Sequence, residues 1–273
     1  MKKKKRKGIL ILEIIGVLLA LLWLAPFYLM IVNAFKTKKG IFSDVLGFPE
    51  ELTFENFKNA FIDLDFLNAL FNSVLVTTIS VMIIIVFSAM AAYALQRNNS
   101  KLSKTLLLVF VAAMLIPFQS VMIPLVSIFG SVDMLNRPGL IFMYLGFGCS
   151  LSIFLYHGSL SSISKSLDEA AIMDGANRLQ IFWHIIFPIL KPISVTVAIL
   201  NLIWIWNDYL LPSLVLSGAN ETIPLRMFYF FGQYTKQWHL ALAGLTLAII
   251  PVIIFYFVSQ KHIIKGVVEG AVK

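Results

Sequence analysis

At 273 residues, 59% hydrophobic and only 13% charged, the chain carries more apolar surface than a soluble fold can hide. One cysteine, Cys149, excludes a disulfide framework, and no Gly is followed by Lys, which excludes a Gly-x-x-x-x-Gly-Lys-Ser/Thr phosphate loop. The net charge of +8 does not point to nucleic acid, because six of the 22 basic residues form the run 2–7, directly before the first apolar stretch. That arrangement is a juxtamembrane anchor on anionic lipid. With a mean hydropathy of +0.87, the expected class is an all-α polytopic membrane protein.

A spanning helix needs about 20 mostly apolar residues. Six stretches qualify: 9–32, 69–95, 106–128, 140–156, 189–215 and 240–260. The first is longer than the apolar region of about 7–15 residues in a cleavable signal peptide, and no small-x-small site follows it, so it is expected to be retained. Six spans put both termini on one side. With the ends inside, 15 basic residues fall in the cytoplasm and 7 outside, so the positive-inside rule predicts cytoplasmic N- and C-termini. It also places the segment between the fourth and fifth spans in the cytoplasm.

In the loop after the first span, Thr53 is positioned to cap a short helix with Phe54, Phe57, Phe61 and Leu64 on one stripe. Such a helix lies on the outer leaflet or docks an external partner. Residues 96–103 are a short cytoplasmic turn. Pro117 and Pro124 interrupt the third span. Broken helices survive in a bilayer only where protein or water satisfies the freed backbone, so this span is expected to face the bundle interior. Gly146-Phe147-Gly148 in the fourth span predicts close helix packing, with a substrate surface as the alternative.

Between the fourth and fifth spans lies a polar island, Ser166-Leu167-Asp168-Glu169-Ala170-Ala171-Ile172-Met173-Asp174-Gly175-Ala176, continuing through Asn177, Gln180 and Pro188. Ser166 with Glu169 reads as a capping box, Gly175 as a left-handed helix end, and Asn177 with Gln180 as a second capping box. Two short helices joined by a Gly corner are predicted. Ala170 and Ala171 keep the first thin enough for another protein to approach its backbone.

The fifth span holds the polar residues. If one helix runs through it, Asn201, Trp204 and Asp208 fall within about 60° of one face. Asn201 would sit about 15 Å deep and Asp208 about 26 Å along. They line a solute pathway, or Trp204, Trp206 and Tyr209 form an interfacial aromatic belt with Asp208 at the headgroups. His157, His184, His239 and His262 share no metal-ligand spacing, and nothing reads as a nucleophile–base pair. No cofactor, no metal and no catalysis by this chain alone are expected.

The polar island resembles the cytoplasmic coupling loop of ABC-importer permeases. The family pattern is Glu-Ala-Ala, three residues, Gly, nine residues, Ile-x-Leu-Pro. Here it reads Glu169-Ala170-Ala171, Gly175, Ile185, Phe187 and Pro188, with Phe where Leu is usual. The entry into the second span at Asn72-Ser73, where a polar-capped helix would begin, is similar to sugar-type permeases. So are the run 206–212 and the tail 265–273, the last similar to smaller maltose-type inner-membrane subunits. The resemblance implies a permease subunit of a sugar or oligosaccharide importer. It would pair with a homologous permease, with two ATP-binding cassette subunits docking at Leu167, Asp168, Glu169, Ala170, Ala171, Met173, Asp174 and Gly175. An extracytoplasmic sugar-binding protein would deliver substrate. The implied organisation is an anchor, first helix and outer loop over 1–68, a permease domain over 69–260 with its coupling loop at 160–188, and a cytoplasmic tail over 261–273 in the cell membrane. A permease for a non-sugar solute is the alternative. An ion-coupled transporter would need paired ionisable residues at the midplane, and Asp208 is single and shallow. A scaffold without transport would leave the proline-broken helices unexplained.

Overall fold

The computed structural model describes residues 2–98, 100–232 and 236–271; side chains are described from residue 12 onward except at 99, 233–235, 255–256, 258–259 and 261–273. The basic run 2–7, His262 and the tail 265–273, all singled out in the sequence, have side chains outside that set. The described residues form helices joined by short turns, with one isolated bridge between Phe231 and Lys236.

The helices are α1 (Lys2–Ala34), α2 (Lys38–Ser43), α3 (Glu55–Asp63), α4 (Phe66–Asn98), α5 (Lys101–Ala113), α6 (Phe118–Gly130), α7 (Arg137–Leu160), α8 (Ser166–Met173), α9 (Arg178–Ile181), α10 (Phe187–Ile189), α11 (Lys191–Trp206), α12 (Leu210–Val215), α13 (Ile223–Met227) and α14 (Trp238–Ala271). Residues Leu12–Ala34 of α1, with α4 and α7, are long and apolar enough to cross a membrane. Two bent pairs also qualify: α5 with α6, turning by 103°, and Arg178–Ile189 with α11, turning by 77°. The helix α14 begins with the apolar stretch Trp238–Ile254. The third span is broken, as its prolines predicted, whereas the fifth, expected as one helix, is interrupted between Trp206 and Leu210.

Two compact units result, Met1–Leu67 with Arg226–Ile253, and Asn68–Leu225 with Ile254–Lys273. In the first, α1 exposes apolar side chains around its circumference, from Leu12 to Trp23, which suits contact with lipid. Past its end, buried Asn56 donates to the Ala34 and Lys36 carbonyls, fastening α3 to the end of α1. Lys36, also buried, donates to the Asp44 carbonyl at 2.7 Å. The Asp44 carboxylate accepts from the N–H groups of Gly47 and Leu46, which hold its pKa below the ordinary value. Thr53 accepts from Glu55 N–H at the start of α3. The phenylalanine stripe divides: Phe54 and Phe57 pack on Phe35, Phe61 on Phe66, and the buried positions within α3 are Asn56 and Ala60.

The second unit holds the apolar core, built on α4, α7, α11 and α12. Gly148 is the close-approach point. A Cβ there would lie 2.5 Å from Ile84 Cδ1 and 2.7 Å from Asn201 Oδ1, so only glycine lets α7 meet both α4 and α11. Gly146 has no atom within 4 Å of its would-be Cβ; the packing role belongs to one of the two glycines. Tyr156 donates to Ser194 Oγ, linking α7 and α11 a second time.

Three expectations are corrected. The chain breaks between Ala113 and Phe118 because Pro117 has no N–H to continue the helix, whereas Pro124 is accommodated inside α6. The α6 helix has no buried residue and touches the core only through partly buried Phe118, Leu125 and Phe129, so its face is not turned into this chain's interior. Asn72-Ser73 does not begin a helix: α4 starts at Phe66, and both residues lie buried within it.

Candidate functional site

The polar island folds as two short helices around a glycine corner. Entry into α8 differs from the reciprocal box expected of Ser166 and Glu169. Ser166 is already helical, the N-cap position falls on Lys165 without a side-chain bond, and Ser164 Oγ accepts from Ser166 N–H at 3.2 Å. The cap moved upstream because a second serine two residues earlier competes for the same N–H.

The exit is as expected. Gly175 takes φ +84°, its N–H bonds to the Ile172 carbonyl, and Ala176 N–H reaches the Ala171 carbonyl at 3.0 Å. These two bonds are a Schellman ending, which needs a left-handed residue between them. Asn177 and Gln180 then form a reciprocal capping box with bonds of 3.0 and 2.8 Å. Replacing the cap, Asn177→Ala, should cost about 1 kcal/mol. It is expected to lower the apparent melting temperature of the detergent-purified chain, while Asn177→Ser retains most of it.

Downstream, residues Phe182–Ile186 widen into a π-turn in which Phe187 N–H bonds to the Phe182 carbonyl. Pro188 supplies the cause, since its ring displaces the carbonyl four residues back and offers no N–H.

Within α8, Asp168 and Ala171 are buried, one turn apart, whereas Glu169 and Ala170, and Asp174 and Gly175 just past its end, are exposed. So are Leu167, Ile172 and Met173, the last at 87%. Asp168 turns toward the C-terminal end of α4. Its carboxylate lies 2.8 Å from Arg97 Nη2 and accepts from the Tyr93 hydroxyl. Arg97 Nη1 donates to the Ile163 carbonyl at 3.2 Å, and the guanidinium stands 5.8 Å from the Tyr93 ring centre. The Phe182 ring packs 5.7 Å from Tyr93. Because the ion pair is largely shielded, removing one partner would strand the other charge, at a cost of about 3–5 kcal/mol. A cleft of about 530 Å³ opens beside it, lined among others by Arg97, Lys165, Glu169 and Arg178. Tyr93 was not singled out in the sequence and Arg97 only as a basic residue. Their i, i+4 spacing at the end of an apolar span is the one signal that points to a shared polar face.

The residues named for a solute pathway separate. Asn201 is buried and donates to Ser152 Oγ at 3.1 Å and to the Val197 carbonyl, beside Gly148. Trp204 is 41% exposed and stands edge-to-face with Tyr144, ring centres 5.4 Å apart. The helix ends at Trp206, so a helical projection does not reach Asp208. Asp208 instead accepts from the Tyr144 hydroxyl at 2.9 Å and from Leu210 N–H, capping the start of α12. Trp204 and Asp208 thus meet on Tyr144, which the sequence did not single out. Among the described residues no cluster of His, Cys, Asp or Glu has the arrangement of a metal site.

Helices long and apolar enough to cross a membrane, with the short helix α8 fastened to the Asn98 end of α4, describe a helical membrane protein. Residues 84–269 match the family of binding-protein-dependent transport system inner membrane components. The chain is 52% identical, over 96% of both chains, to AmyC, named as a permease protein of a starch-degradation-products transport system in Thermoanaerobacterium thermosulfurigenes. It is 36% identical, over 93% of both, to the multiple-sugar-binding transport permease MsmG of Streptococcus mutans. It is 33% identical, over 100% of both, to the melibiose/raffinose/stachyose import permease MelC of Bacillus subtilis. In structure it is similar, with a TM-score of 0.78 and 26% identity over 96% of this chain and 98% of the other, to a chain of a bacterial ABC transporter that imports the acidic polysaccharide alginate. The chain belongs to the binding-protein-dependent inner-membrane permease family of ABC importers and is a multi-pass membrane protein.

Proposed function

We propose that this permease forms half of the translocation pathway for a sugar or oligosaccharide and that α8 is the surface on which an ATP-binding cassette subunit acts. The observation that carries the docking assignment is the outward face of α8. Met173, Ile172 and Leu167 stand exposed beside Glu169 while Asp168 and Ala171 are seated inward. Apolar side chains in such a cluster on a polar loop fit a partner's groove. Glu169, in the first turn, favours the helix N-terminus and is free to meet a basic group on the partner. The names of relatives at 52%, 36% and 33% identity support a carbohydrate substrate.

In this reading a homologous permease completes the pathway, an extracytoplasmic sugar-binding protein supplies substrate, and ATP is hydrolysed in the cassette subunits rather than here. Both termini lie in the cytoplasm of a cell-membrane protein. Nucleotide-driven closure of the cassettes moves α8 and exchanges inward- for outward-facing states. Trp204, presented beside Tyr144 and Asp208, offers a ring face to a sugar, and Asp208 orients that pair.

The test is reconstitution in proteoliposomes with the cognate cassettes, second permease and binding protein. ATP-dependent uptake of labelled oligosaccharides from starch is expected, and none by this chain alone. Trp204→Ala should lower uptake without loss of cassette capture. Transport without a cassette, or thiol labelling of Met173→Cys from the cell exterior, would overturn the assignment.

A further inference from the structure

We propose that α4 is a rigid link through which the position of α8 sets the position of the loop 216–223, with Arg97, Tyr93 and Asn72 as its positioning residues. This rests on the assignment of α8 as the cassette-facing helix and adds the route by which its movement travels.

Both ends of α4 are fastened by side chains to segments distant in sequence. At the Asn98 end, Arg97 and Tyr93 hold Asp168, and Arg97 also holds the Ile163 carbonyl, so the entry to α8 and α8 itself are bound to one helix turn. Toward the Phe66 end, Asn72 is fully buried and uses every polar atom of its amide. Its Nδ2 donates to the carbonyls of Ala219 and Glu221 at 2.8 and 3.0 Å, and its Oδ1 accepts from Arg137 Nη1 at 2.8 Å. Asn68 donates a second bond to the Ala219 carbonyl, and Ser73 Oγ accepts from Ile223 N–H at 2.9 Å. The loop backbone therefore hangs on α4. Arg137 brings the first turn of α7 to the same amide.

Between the two fastenings α4 is continuous. Asn72 and Arg97 lie about 37 Å apart along it at 1.5 Å per residue, and residues 66–98 contain no Gly or Pro. Kinks form almost only at such residues or at π-bulges. The other routes from α8 are more compliant: the chain after it passes a π-turn and a 77° bend, the α5–α6 pair turns by 103°, and α7, although continuous, carries four glycines and reaches α8 only through the turn 161–165. Displacement of Asp168 by a cassette is absorbed along those routes but carried along α4. By reciprocity, whatever seats on the loop biases α8 to the same extent.

The experiment uses the assembled transporter in proteoliposomes, with Cys149→Ala to remove the native thiol and Ala219→Cys as an exposed reporter on the loop. Its reaction rate with a polar maleimide is measured without nucleotide and with the cassettes trapped by ATP and vanadate. The two rates should differ by about fivefold or more, the scale of ordinary coupling between sites. Asn72→Ala, far from α8, and Tyr93→Phe, which removes one hydroxyl, should each reduce that difference while leaving cassette capture unchanged. Arg97→Asp should abolish it, and the reversed pair Arg97→Asp with Asp168→Arg should recover it. A merely structural pair would restore yield without restoring the nucleotide response. Equal rates in the parent transporter, or an undiminished difference in Asn72→Ala and Arg97→Asp, overturns the link. A parent chain that captures no cassette instead overturns the assignment of α8, and the link with it.

Discussion

Met173→Asp and Glu169→Lys are expected to abolish ATP-driven uptake while leaving the chain inserted and folded. The two side chains sit on the outward face of an eight-residue helix, and Met173, at 87% exposure, touches too little of its own chain for its loss to matter to folding. An apolar anchor that fills a partner's pocket is worth about 2 kcal/mol, so placing a carboxylate there should weaken capture of the cassette by about thirtyfold or more. Glu169→Lys acts by a different term, setting a positive charge at the positive end of the helix and against any basic group opposite. The measurements are substrate uptake and cassette co-purification on the same preparation. Normal uptake by both variants would remove α8 from the coupling path.

The second large effect lies in the bundle. Gly148→Val should leave little folded protein, and Gly146→Val, two residues away on the same helix, should be tolerated. A Cβ at 148 would sit 2.5 Å from a methyl of Ile84 and 2.7 Å from the Asn201 carboxamide oxygen, whereas at 146 nothing lies within 4 Å. Both neighbours of 148 are themselves buried, so neither can swing clear without moving α4 or α11. Overpacking of this kind costs about 1–3 kcal/mol, and more where the backbone has to shift. Size-exclusion profiles and melting curves of the two variants in detergent decide it. Equal behaviour would mean that the approach of α7 to its neighbours is not as close as described.

Legibility from sequence differed between residues for identifiable reasons. The Gly175 corner and the Asn177–Gln180 box were readable because every bond in them closes within five residues. The Ser166–Glu169 box failed by the same measure, since a serine two positions upstream took the Ser166 N–H that Glu169 was expected to accept, and the Glu169 N–H went to the Lys165 carbonyl. Pro117 announced a break correctly, but Pro124 did not, because one missing N–H can be accommodated inside a helix. Asp208 was projected onto the face of Asn201 on the premise of an unbroken helix, and α11 ends at Trp206.

What the sequence determined by itself is the class of protein, the presence of a polar loop between two apolar spans and the glycine corner within it. Those follow from apolar run length and from short-range backbone bonding, which any part of the chain declares locally. Tertiary structure alone decided that Asp168 faces inward onto Arg97 and Tyr93, that Asn201 is spent on Ser152, and that Asn72 holds a loop some 150 residues away. A buried polar side chain takes its meaning from whichever group satisfies it, and in a helical bundle that group comes from another helix whose register no local pattern specifies.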